Sequence, residues 1–152
     1  MSLTRRHILT MSITAPAAFM LATGATAAEP EIYNEGGLAV GGTDVVAYFT
    51  EGQPTAGSAD ITLDYRGVTW RFASEANRDA FIADPAAYMP QYGGYCAYAV
   101  SRGYTASTVR EAWTIVDGKL YLNYSTGVRS RWERDVQSNI AMADANWPAV
   151  LG

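Results

Sequence analysis

The chain has 152 residues, with 15 acidic against 11 basic side chains and a formal charge of −4. That length holds one domain, and an acidic balance with no basic stripe argues against nucleic acid as a partner. Cys96 is the only cysteine, which excludes an internal disulfide.

The first residues set the compartment. Arg5, Arg6 and His7 precede a moderately apolar stretch from Ile8 to Ala22, broken by Pro16, and Ala25-Thr26-Ala27 fits a small-residue cleavage site. This layout predicts an export signal over residues 1–27; the apolar run is too short and interrupted to span a bilayer. The pair Arg5-Arg6 directly before that run resembles a twin-arginine signal, the route for proteins exported already folded, with an ordinary secretory signal as the alternative. Either route predicts a periplasmic mature chain, residues 28–152, with no membrane span left. Losing Arg5 and Arg6 leaves 9 basic against 15 acidic residues, a formal −6, and no histidine, since His7 is the only one. A mature chain without histidine cannot build a serine–histidine–acid triad or a cysteine–histidine hydrolase site.

Residues 28–37 are polar, with Gly36-Gly37, and read as an N-terminal tether or a first edge segment. Residues 38–49 mix short apolar runs with a Gly-Gly turn, and 51–60 form a loop by composition. In "ITLDYRGVTWRF" apolar and polar residues alternate around Arg66-Gly67. This predicts a hairpin with Leu63 facing Trp70 and Ile61 facing Phe72, and with Thr62, Asp64, Thr69 and Arg71 on the wet side. Ser74 is placed to cap a helix over 75–83, with Ala80 and Phe81 inward. Asp84-Pro85 stops that helix and starts another. Residues 95–101 are read as helix, with strand as the alternative. "AWTIVDGKLYLNY" predicts a second hairpin turning at Asp117-Gly118, with Ile115 facing Leu120 and Trp113 facing Leu122. Val128, Trp132, Val136, Ile140, Ala143 and Trp147 recur at helical spacing, capped near Ser125 or Thr126 and ended by Pro148. The expected fold is α+β: two antiparallel hairpins, a short helix pair between them and a C-terminal amphipathic helix.

"LAVGGTDVVAYF" and "YRGVTWRFASEANRDAFIADPAAYMPQYGGYC" resemble the YHS-domain family, specifically its exported single-domain members. The resemblance runs from about Leu38 to Trp147 and identifies 38–152 as a YHS-like domain. It implies a role in handling heavy metals, since many relatives have one; the domain also occurs beside metal pumps and within oxygenase subunits. The chain departs from that pattern at the metal motif. Metal-binding relatives look like Phe-Cys-Ser-x-x-Cys where this chain has Phe72-Ala73-Ser74-Glu75-Ala76-Asn77, so Ala73 and Asn77 stand in place of both thiols. The Tyr-His-Ser trio is also absent.

Cys96 is the remaining soft donor of that region. A thiolate binds soft metals, and copper(I) also accepts thioether sulfur, so the candidate metal ligands are Cys96 and, seven residues upstream, Met89; Met142 lies on the last helix. With no histidine the set is short of the four donors of a tetrahedral site. Burial as a small hydrophobe is the other reading of Cys96, and reactivity would need a helix N-terminus or a cation beside it. Tyr88, Tyr92 and Tyr95 share a spacing more often seen in a core than in a cofactor pocket, although a phenol can ligate haem iron. Asp44 reads as a turn cap or as a carboxylate lining a pocket near Tyr48. Glu75 with Asp79 and Arg131 with Asp135 read as solvated charges on one helix face. Asn123 and Tyr124 close the second hairpin and stand where a pocket edge would be. The first expectation for function is a non-enzymatic periplasmic protein binding a transition metal, copper first, near Cys96. The alternatives are a metal-free module whose aromatic pocket receives a small molecule or a protein partner, and a redox enzyme or enzyme subunit using Cys96.

Overall fold

A computed structural model describes residues 28–152; the expected export signal at 1–27 lies outside the described residues. The short strands β1 (Asn34–Glu35) and β2 (Leu38–Ala39) are followed by a one-turn helix α1 (Ala47–Thr50), then by β3 (Ser58–Tyr65) and β4 (Val68–Phe72). These strands form one sheet in the order β1-β2-β4-β3, with β2 parallel to β4 and the other pairs antiparallel. Helices α2 (Glu75–Ala83), α3 (Pro85–Tyr88) and α4 (Ala97–Ser101) lead to a separate hairpin, β5 (Trp113–Val116) and β6 (Lys119–Leu122). Two last helices, α5 (Thr126–Trp132) and α6 (Val136–Asn146), complete the α+β fold.

The turns follow their residues. Arg66-Gly67 and Asp117-Gly118 all have positive φ, at 52°, 78°, 50° and 73°, which is the twist a two-residue hairpin requires. Leu63 pairs with Trp70, Trp113 with Leu122 and Ile115 with Leu120. The expected pairing of Ile61 with Phe72 does not form. The β3 register shifts between Ser58 and Thr62, so that Ser58 stands opposite Phe72. Gly57 permits the close approach at this end: a Cβ there would lie 2.5 Å from the Arg71 carbonyl carbon. Ile61 still packs on the first core cluster.

Ser74, Asp84 and Ser125 cap α2, α3 and α5 by accepting backbone hydrogen bonds from Asn77, Ala87 and Val128. The C-terminal helix is not continuous, contrary to its even apolar spacing. A 3-10 turn at Glu133–Asp135 interrupts it, and Asp135, with φ −150° and ψ 69°, caps α6 by accepting from Ser138 N–H. A side chain that satisfies the backbone locally competes with helix continuation. Residues 28–37 take the edge-segment alternative rather than the tether. Ile32 is buried, Tyr33 N–H donates to the Gly93 carbonyl, and Tyr95 OH donates to the Pro30 carbonyl.

Two clusters form the core. The first joins the sheet, α1 and α2 through Val45, Tyr48, Trp70, Phe72 and Phe81, together with Leu120 and Leu122. The second gathers Tyr92, Tyr95, Val100, Tyr121, Trp132 and Ala143. Strand β6 lies between them, since Leu120 and Leu122 belong to one cluster and Tyr121 to the other. Alternation along a strand sends neighbours to opposite faces, so this hairpin has no fully wet side. Among the described residues, no helix is long and apolar enough to cross a membrane.

Candidate functional site

Cys96 immediately precedes α4, and its position follows from the turn before it. Tyr92 and Gly93 have positive φ, so the chain cannot run as one helix from Tyr88 to Tyr95. Tyr88 therefore packs edge-on against Phe49, while Tyr92 and Tyr95 enter the second cluster. Their hydroxyls are engaged there, Tyr92 donating to Asp144 at 2.8 Å and Tyr95 to the Pro30 carbonyl at 2.7 Å. This is the core role of the tyrosine spacing.

The Cys96 side chain is 1% exposed. Its sulfur accepts from Tyr124 N–H at 3.2 Å and donates to Asn123 Oδ1 at 3.6 Å. Burial pushes the thiol pKa up, and backbone N–H groups of Ala99, Tyr124 and Tyr98 partly counter it. Asn123 is wholly buried; its Oδ1 also accepts from Tyr98 N–H at 3.1 Å, which fixes the amide orientation. Its Nδ2 then has no hydrogen-bond partner among the described residues. The amide joins β6 to α4 and sets the sulfur against the wall of a concavity.

That concavity, about 260 Å³, lies over Cys96 and is walled by Tyr98, Tyr104, Tyr124, Val128 and Arg131. Ala99 and Ala106 supply small side chains beside the sulfur. Tyr104 and Tyr124 are 53% and 55% exposed, the large exposed rings among the described residues, where the other aromatic side chains are buried or partly buried. Val128 and Arg131 stand three residues apart on α5, and so on one face. Asn123 and Tyr124 were legible as a pocket edge at the end of the second hairpin; the contribution of α5 was not, because no local pattern ties its residues to Cys96.

Met89 does not join this group. It packs on the first core cluster and lines a different depression with Glu31 and Arg66. Met142 is elsewhere again, its sulfur accepting from Arg102 Nη1 at 3.7 Å. Among the described residues, no three His, Cys, Asp or Glu side chains gather as a metal-binding group. Cys96 and Met89, the two candidate copper ligands, line different depressions.

Asp44 is wholly buried and serves as a cap. One carboxylate oxygen accepts from Val46 and Ala47 N–H at 2.9 and 3.2 Å. The other accepts from Ala73 N–H and Asn77 Nδ2, both at 2.8 Å. Arg131 and Asp135 form no ion pair among the described residues, because the 3-10 turn breaks the four-residue helical spacing between them. Comparison with known protein families, characterised proteins and solved structures found no match to this chain.

Proposed function

We propose that the chain is an exported, non-enzymatic binding module of the YHS-domain type, whose aromatic concavity beside Cys96 receives a small molecule with an apolar body. The observation that carries this reading is the pair of half-exposed rings, Tyr104 and Tyr124, over a floor of Ala99, Ala106 and Cys96. Apolar pockets with a few convergent polar groups are the usual form of small-molecule sites, and exposed tyrosine offers large contact area at little conformational cost.

A metal-free reading is supported at a second place. The resemblance puts the relatives' thiols at positions 73 and 77. Here Ala73 N–H and the Asn77 amide both donate to Asp44. That corner holds a hard carboxylate fully engaged by N–H donors and no soft ligand.

The test uses N-phenyl-1-naphthylamine, an uncharged fluorescent aromatic probe, titrated into the purified chain. Saturable one-site binding is expected. Tyr104→Ala with Tyr124→Ala should weaken it roughly tenfold, at about 0.5–1.5 kcal/mol per aromatic contact, and Val128→Trp should fill the concavity and abolish it while far-UV circular dichroism stays unchanged. Binding indifferent to all three substitutions overturns the proposal. So does stoichiometric copper in the purified protein that is lost with Cys96→Ser.

A further inference from the structure

We infer that the aromatic concavity continues into a cationic one beside it, and that together they take a small organic anion: an apolar, flat body against the tyrosines and a carboxylate or phosphate group among Arg102, Arg131 and Arg134. The inference deepens the proposed function and rests on it.

The second concavity, about 510 Å³, is lined by these three arginines with Tyr98, Asn139 and Ser138. Tyr98 and Arg131 line both concavities, so the two are neighbours sharing a wall. The charge distribution is the unexpected part. The described residues carry 15 acidic and 9 basic side chains, and ion pairs are made by Arg66, Arg110 and Arg129. Among the described residues Arg102, Arg131 and Arg134 form no ion pair, nor do Arg71, Arg78 and Lys119, but the first three are the ones gathered in one concavity. Like charges drawn together without counterions repel one another and focus a positive potential in the concavity they line.

The arginines are also positioned. The Arg102 guanidinium lies over the Tyr98 ring, 4.8 Å from its centroid, and each terminal nitrogen keeps one N–H beyond its bond to Met142 Sδ or Asn139 Oδ1. Its Nη2 is 3.5 Å from Asn139 Oδ1. Asn139 is 3% exposed and is itself anchored, its Nδ2 donating to the Trp132 carbonyl at 2.9 Å. Arg131 would reach Asp135 on a continuous helix. The break after Trp132 turns Asp135 instead to Ser138 N–H, so Arg131 keeps its charge for the concavity. Asp135 is the one carboxylate there, and the lining remains net positive.

The guanidinium fork matches the planar oxygen pair of a carboxylate or the oxygens of a phosphate. The tyrosine wall beside it matches an aromatic or other flat apolar group. A free inorganic anion would use only half of this surface, and a neutral aromatic only the other half.

The test compares 2-naphthoate with 2-naphthamide, which share a ring and a size and differ in charge, by titration against the described domain in its full chain, followed by ¹H–¹⁵N NMR. Naphthoate should bind at least about fivefold tighter at low salt, and this preference should shrink as salt rises from about 20 to about 300 mM, where screening shortens to within the site. Arg134 lines the cationic concavity and not the aromatic one, so Arg134→Gln should weaken naphthoate roughly three- to tenfold and leave naphthamide unchanged, and Arg131→Gln and Arg102→Gln should each weaken naphthoate more than naphthamide. Equal binding of the two probes overturns the anion inference and leaves the aromatic pocket standing. A preference that survives Arg102→Gln, Arg131→Gln and Arg134→Gln combined overturns it too. Binding of neither probe overturns both the inference and the pocket.

Discussion

The Asn77 side-chain amide donates to the Asp44 carboxylate at 2.8 Å, tying the start of α2 to the turn that begins α1. The same carboxylate takes three backbone N–H groups, from Val46, Ala47 and Ala73. Every partner is a donor, so only an acceptor at both oxygens satisfies them. Asp44→Asn must turn an NH₂ toward one pair of donors. It should cost about 2–4 kcal/mol, the loss of two charged hydrogen bonds in a buried place, read as a lower urea midpoint with unchanged slope. A loss under about 1 kcal/mol would show that this knot does not hold the sheet to α2.

Cys96 should behave as a sealed thiol. Burial raises its pKa, and the thiolate is the reactive form. Native protein at neutral pH should react with iodoacetamide at least about 100-fold more slowly than protein unfolded in guanidinium, followed by intact mass. Because the folded state holds the proton more tightly than the unfolded chain, this group's contribution to stability is complete below the unfolded thiol range and is lost as pH rises through the folded one. Fast alkylation of the folded form would place the sulfur in solvent.

The tyrosines extend the same linkage to higher pH. Burial pushes Tyr95 up to about 12, with Glu29 and Tyr33 adding to it. Burial likewise raises Tyr48 and Tyr92, and Tyr92 is raised further by the Asp144 carboxylate that accepts its hydroxyl. Each phenol is held neutral by the fold, so unfolding releases protons above the ordinary tyrosine value of about 10, and stability should fall from there upward. Absorbance at 295 nm should rise in a late, steep step that coincides with loss of circular dichroism. A rise completed with the fold intact, leaving no steep step, would contradict the buried assignment of Tyr48, Tyr92 and Tyr95. Tyr92→Phe should move the step to higher pH.

Gly93 sets the entry of the N-terminal segment. Its φ is +61°, and a Cβ there would lie 1.9 Å from the Glu31 carbonyl oxygen. Gly93→Ala should therefore cost more than about 2 kcal/mol, left-handed strain plus displacement of backbone. Gly103→Ala is the control: φ is +87° with nothing within 4 Å, so strain alone should cost about 1–2 kcal/mol. Equal thermal melting of the two variants would show that residues 28–37 are not clamped at Gly93.

Local rules carried most of the fold. Asp117-Gly118 and Arg66-Gly67 name their turns, Ser74 and Ser125 name their caps, and Leu63 opposite Trp70 follows from alternation alone. What escaped had a non-local or competing cause. The β3 bulge depends on Gly57 lying against Arg71, which no period shows. Asp135 reads as one more polar residue on a helix until its carboxylate is seen on Ser138 N–H. For the site, Asn123 and Tyr124 were visible as an edge because they close the hairpin that turns at Asp117-Gly118. The pairing of Cys96 with Met89 rested on short spacing, and the positive φ at Tyr92 and Gly93 sends the two residues to different concavities. Arg102, Arg131 and Arg134 carried no signal, since α4 and α5 meet only through the second core cluster.

Strand β6 is shared by both clusters, with Leu120 and Leu122 on one side and Tyr121 on the other. Neither half of the molecule can therefore open without stripping a face from the strand that the other half needs. Such a common wall couples the two regions into one melting unit, and the aromatic concavity hangs from its end, where Asn123 holds Cys96 and Tyr98.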